Sequence, residues 1–114
     1  MIDDVEYYKA EAQRFRELTN YINHVLTVYG NVCNPIAYRA KGYAIEGANN
    51  AYKQVKRLAV EHGFDIGTRE NFQEVLQSQI SKVLDREPAT DLQNAYIEYL
   101  QEIMNFLEFY YSRF

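Results

Sequence analysis

Two registers of the sequence return every seventh position near its start: Val5, Ala12, Thr19 and Leu26 form one, and Tyr8, Phe15, Ile22 and Tyr29 the other. A seven-residue return keeps one stripe of a helix facing a neighbour along its whole length, so the pattern predicts a helix packed lengthwise on other helices. The spacing of Asp3 and Glu6 is that of a capping box, with Ile2 and Tyr7 placed as a hydrophobic staple around it. The first helix is therefore expected over residues 4–29, with Gly30 closing it in the left-handed conformation that ends many helices.

The remaining punctuation is equally local. Asn34 before Pro35 is a start signal, because asparagine accepts from orphan amides and proline at the first helical position lacks an amide that would be unpaired. A second helix is expected from 35 to 62, with its stop at Gly63. Thr68 is placed to cap a third, over 69–86, with Phe72, Val75, Leu76, Ile80, Val83 and Leu84 on its apolar face and Pro88 beyond its end. Thr90 with Gln93 makes a further capping box and opens a fourth helix, 91–112. Connections of about three to six residues between such elements predict antiparallel neighbours. The expected fold is a single domain over 1–114, an all-α antiparallel four-helix bundle.

Two of these helices depart from a plain amphipathic pattern. The second carries a stripe of small residues, Ala37, Ala40, Ala44, Ala48 and Ala51, continued by Val55 and Leu58, with Gly42 and Gly47 in its interior. Each glycine costs about 1 kcal/mol relative to alanine in a helix, so close approach of a neighbour is expected to offset them. A second line, Tyr38, Ile45, Tyr52 and Ala59, widens the apolar face. The fourth helix leaves only the strip Asn94, Glu98, Gln101, Glu102, Asn105, Glu108 and Ser112 wholly polar at 100° per residue. The segment from Tyr96 to Phe114 holds seven aromatics, Tyr96, Tyr99, Phe106, Phe109, Tyr110, Tyr111 and Phe114. That exceeds what one face of a small bundle needs, and Tyr38, Tyr52, Phe106, Phe109, Tyr110, Tyr111 and Phe114 are the expected partner-binding residues, closing a homodimer or receiving another protein. Tyrosine supplies 11 of the 17 aromatic rings, and its hydroxyl tolerates a half-wet setting that phenylalanine does not.

Composition narrows the function classes. With 114 residues, 47% of them hydrophobic and 25% charged, the chain suits one globular domain. A net charge of -4 argues against a surface devoted wholly to nucleic acid or anionic lipid. A run of about 18 apolar residues, the minimum for a membrane-spanning helix, does not occur. The opening Met1-Ile2-Asp3-Asp4 is acidic where a signal peptide would be basic, and the single Cys33 suits a reducing compartment, so a cytoplasmic protein is expected. Metal-ligand spacing is absent around His24 and His62, Cys33 has no histidine near it in sequence, and neither a phosphate loop nor a nucleophile elbow occurs. Glu98 and Glu102, one turn apart, read as a solvated acidic stripe. The expectation is a protein without catalytic residues, metal or cofactor, acting as an inhibitor- or adaptor-type bundle by occupying a partner's surface.

Against that stands one basic cluster on the second helix. Arg39, Lys41, Lys53, Lys56 and Arg57 are opposed there only by Glu46 and Glu61. Lys53, Lys56 and Arg57 suit the negative end of the helix dipole and are expected to pair with the acidic fourth helix. Arg39, Lys53, Lys56 and Arg57 are the residues that would instead meet phosphates or an acidic partner, which makes a nucleic-acid accessory protein the alternative class. The segment Ala51 to Arg57, leading through His62 and Gly63 to Thr68-Arg69-Glu70, also resembles the HEPN-type helical partners of small nucleotidyltransferases. That resemblance covers about a fifth of the chain. It implies a dimeric helical bundle and RNA cleavage by Arg57 and His62, although Leu58 stands where that family carries a polar residue.

Overall fold

Local capping sets the helix ends much as the sequence requires. The computed structural model describes residues 5–85 and 90–114 and contains four helices, α1 (Val5–Tyr29), α2 (Pro35–Glu61), α3 (Phe72–Leu84) and α4 (Asp91–Arg113). The protein is an all-α four-helix bundle, as expected. The Asn34 side chain accepts from the Ala37 amide at 2.9 Å, with Pro35 in the first turn. The Thr90–Gln93 capping box is complete in both directions, at 3.1 and 3.0 Å. Ile2, Asp3 and Pro88, which carry the other expected signals, lie outside the described residues.

Of three further ends, the stop at Gly63 is as expected and the other two differ in detail. Gly63 has φ +82°, and around it the Gly63 amide donates to Val60 O and the Phe64 amide to Ala59 O, both at 3.0 Å. This is a Schellman motif, with glycine at the one position where an L side chain would be strained. Gly30, expected to be left-handed, is not among the glycines with positive φ; the chain leaves α1 in a turn in which the Val32 amide donates to Tyr29 O at 3.2 Å, and a Cβ on Gly30 would crowd Leu26 O at 2.5 Å. The third helix begins at Phe72 rather than 69. Asn71 Oδ1 takes both the Thr68 amide (2.6 Å) and the Thr68 hydroxyl (3.0 Å), so Thr68 closes a preceding turn and makes no helix cap.

Packing order follows from which residues meet. Along α1 and α4 the partners rise together: Tyr8 lies on Tyr96 (5.1 Å between ring centroids), Phe15 on Phe106 (5.7 Å), and Asn23 accepts from Arg113 (3.1 Å). These two helices therefore run parallel. α2 runs against both, with Arg14 bonded to Gln54 (3.0 Å), and Tyr110 bonded to Asn49 (2.7 Å) while His62 rests on Tyr96 (5.3 Å). α3 runs against α4, Phe72 on Tyr111 (5.1 Å) and Gln77 beside Met104 (3.8 Å). The topology is up-down-down-up.

Such an order requires the chain to climb back between α2 and α3, and residues 62–71 do so. Ten residues can reach about 30 Å when fully extended, more than the roughly 20 Å length of α3, so the connection has the reach although turns at 62–63 and 69–71 shorten it. Ile66 is buried in that climb, sealing a gap beside Val55, Leu58 and Ile103. Gly67 turns the chain at φ +78°, where Asp65 Oδ1 accepts its amide at 3.1 Å.

The core divides into two clusters. The larger takes Tyr8, Ala12 and Phe15 of α1 with Val55 and Leu58 of α2, Leu76 of α3, and Tyr99 to Leu107 of α4. The smaller is Ile22, Val25, Ala44 and Ala48, with Phe109 and Tyr110 of α4 packed against it, at the level where α1 and α2 run on past the end of α4 as a two-helix hairpin. No helix among the described residues is long and apolar enough to cross a membrane.

Candidate functional site: the flanks of the α1–α2 hairpin

Enclosure of the α4 rings overturns part of the sequence expectation. Phe106 is completely buried and cannot be a contact residue; it packs on Phe15 and Tyr110. Tyr99 is likewise enclosed, among Tyr8, Phe15 and His62. The physical reason is the parallel α1–α4 pairing together with the climbing segment, which surrounds α4 on more sides than a plain hairpin stack would. Phe109, Tyr110 and Tyr111 are half-buried and Phe114 is 38% exposed at the rim. Among the expected partner residues only Tyr38, at 59%, stands well into solvent, and Tyr52 is half-buried.

What remains open lies chiefly on α2. Its small-residue stripe, Ala37, Ala44, Ala48 and Ala51, is buried, but Gly42 and Gly47 point away from it: a Cβ on either would meet no atom within 4 Å. The expected close approach at these glycines is absent, because no helix of the same chain covers that side.

One flank of α2 combines rings with cations. Tyr38, Ile45 and Tyr52 form a row of seven-residue spacing that reaches the end of α4. Tyr52 stacks on Tyr110 (4.5 Å, 9° between planes), and Tyr110 stacks on Phe114 (5.0 Å). The Tyr52 and Tyr111 hydroxyls are bonded at 3.0 Å. Burial, followed by that hydrogen bond, pushes the Tyr111 phenol up, and burial does the same to Tyr110. On this flank a cation lies over each of three rings: Lys41 over Tyr38 (4.8 Å), Lys56 over Tyr52 (5.4 Å) and Arg69 over Tyr111 (5.5 Å).

The expected ion pairs between α2 and α4 do not form. Arg39, Lys53, Lys56 and Arg57 are all exposed, and none is in an ion pair among the described residues. The cation that meets the acidic strip of α4 comes from α1: Arg16 holds Glu98 at 3.1 Å and Glu102 at 2.8 Å. The two glutamates thus fasten α4 to α1.

Arg57 and His62 are not brought together. Five positions turn a helix through about 140° beyond a full turn; Arg57 faces solvent while the His62 ring sits among Tyr8, Tyr96 and Tyr99 with its Nε2 buried and unbonded. Cys33 is exposed in the α1–α2 connection. Among the described residues no three His, Cys, Asp or Glu side chains gather as metal ligands would.

Sequence reasoning missed the other flank of the hairpin. Tyr21 and Val28 of α1 and Ile36 and Tyr43 of α2 are exposed, Ile36 at 73%. A signal was present. From Leu18 to Asn50 the chain carries only three charged side chains, Arg39, Lys41 and Glu46, out of 28 in the whole sequence, and charge depletion with tyrosine enrichment marks an interface core. Compared with known protein families, curated proteins and solved structures, the chain matches none.

Proposed function

We propose that this chain is a non-enzymatic binding protein of the inhibitor or adaptor type, which acts by covering the surface of another protein with the Tyr38–Ile45–Tyr52 flank and the adjoining Tyr110, Tyr111 and Phe114 rings. The observation that carries the reading is the set of three cations laid over tyrosine rings on this flank, two of the rings on α2 and one on α4, none of the cations neutralised by an ion pair among the described residues. Rings anchor in apolar pockets, and unneutralised cations select acidic surroundings for those pockets. The partner is accordingly a protein with an acidic rim around an apolar patch.

The same interleaving of rings and cations favours a second reading, a single-stranded nucleic acid stacked on the tyrosines. Capture from the native host with the wild-type chain and with Tyr38→Ser/Lys56→Glu as bait separates the two. The protein reading expects a defined protein lost from the double variant, held through nuclease treatment, and only modestly weakened by salt. Nucleic acid retained in place of protein, released steeply by salt, overturns it. Capture unaltered by the double variant overturns both readings of this flank.

A further inference from the structure

The opposite flank of the hairpin has a charge pattern that complements itself. At 100° per residue, Ile36, Arg39, Tyr43, Glu46, Gly47 and Asn50 fall within about 100° of the α2 surface. On α1, Tyr21 and Val28 continue the seven-residue stripe of Arg14, whose bond to Gln54 marks the seam on this side. Arg39 and Glu46 are of opposite sign, exposed, and outside every ion pair among the described residues. They lie symmetrically about positions 42 and 43.

We infer that this flank is the self-association face and that its occupant is a second copy of the same chain, laid antiparallel about a two-fold axis near Tyr43. In that arrangement Arg39 of each copy meets Glu46 of the other, giving two identical ion pairs. The two Tyr43 rings meet at the axis. Ile36 falls against Gly47 and Asn50 of the other copy, and the open space at Gly47 admits it. A parallel arrangement would set Arg39 against Arg39 and Glu46 against Glu46, so the charges select the antiparallel form, whose two-fold axis runs perpendicular to the helices. Residues 35–50 of α2 are about 24 Å long, and with α1 beside it the face is about 20 Å wide. Roughly 500 Å² per copy lies at the small end of specific interfaces, as suits a weak and reversible association. The inference is independent of the partner-binding reading, since it uses the other side of α2.

Sedimentation equilibrium of the whole chain at about 5 to 500 μM tests it. Wild type is expected to pass from monomer to dimer across that range. Arg39→Glu alone places four carboxylates together, and Glu46→Arg alone places four guanidinium groups together, so each weakens self-association by tenfold or more. An equimolar mixture of the two variants re-forms both ion pairs as a mixed dimer and returns to within about threefold of wild type. Circular dichroism of each variant reports that the exposed substitutions leave the fold intact. A wild-type chain that stays monomeric to 500 μM, a dimer indifferent to either charge change, or a mixture that fails to associate overturns the proposal. Tyr38→Ser is expected to leave dimerisation unchanged while lowering partner capture, so the two flanks fail separately.

Discussion

Removal of one oxygen atom is expected to stabilise this protein. Tyr99 is 1% exposed, and its hydroxyl is buried without a hydrogen-bond partner. A buried polar group left unbonded costs about 1–3 kcal/mol, so Tyr99→Phe recovers that penalty while keeping the ring against Tyr8 and Phe15. The void left by the oxygen, roughly 10 Å³ at about 24 cal/mol per Å³, gives back only about 0.2 kcal/mol. The net gain is about 1 kcal/mol, a rise in Tm of about 4 °C for a chain of this size. Burial, with smaller contributions from Tyr7 and Glu11, also holds the folded-state Tyr99 phenol far above its ordinary value of 10.0. Above that ordinary value the unfolded chain releases the proton and the folded chain keeps it, so wild-type stability falls as pH rises, by up to about 1.4 kcal/mol per pH unit for this group. Tyr99→Phe lacks that loss, and its advantage must widen above pH 10. Tyr7, Tyr110 and Tyr111, also raised by burial, are common to both proteins and drop out of the difference. Urea unfolding at pH 7 and at successive steps above pH 10 reads both effects. A variant less stable than wild type at pH 7, with a difference that stays flat into the alkaline range, would refute the reasoning by showing that the hydroxyl is bonded and reached by solvent.

The glycines should divide by environment in thermal denaturation: Gly42→Ala gains about 1 kcal/mol, because its Cβ enters open space on a helix, whereas Gly63→Ala loses about 1 kcal/mol at φ +82°. Native-state amide exchange in dilute protein should run on the order of tenfold faster in the α1–α2 tip, residues 24–29 and 36–44, than in residues 52–59 and 99–107, because only Val25, Ala37 and Ala44 are buried in the tip; equal rates would mean that the bundle opens as one unit.

Helix existence and most helix ends were legible because capping is a contest among neighbours in sequence. Asn34, Thr90 with Gln93, and Gly63 satisfy or release backbone groups within a few residues, and nothing remote competes with them. Direction was not legible at the α2–α3 junction. Residues 63–67 looked like a short turn, and a short turn implies reversal; instead Phe64 and Ile66 made the connection long enough, and apolar enough, to be built into the core. That one climb sets α1 parallel to α4 and encloses Tyr99 and Phe106, so rings counted as surplus from sequence proved to be core. The glycines of α2 misled for a related reason. A small residue permits a close neighbour without demanding one, and only the placement of α1 and α4 decides which small residues are covered.

Packing within the chain uses up one side of α2 and leaves two. The alanine stripe faces α1, while Tyr43 and Ile45 stand about 160° apart around the helix axis. Two surfaces so placed cannot serve one flat partner at once, whereas a two-fold dimer closed on the Tyr43 side leaves both Tyr38–Ile45–Tyr52 rows facing outward. Solubility does not oppose this division. Twenty-five of the 28 charged residues lie outside residues 18–50, so most of the charge sits apart from the tip of the hairpin. A dimer would present two copies of the cation-and-ring row on one rigid body, and a partner with repeated acidic patches would then be held by both rows, each adding to the effective concentration of the other.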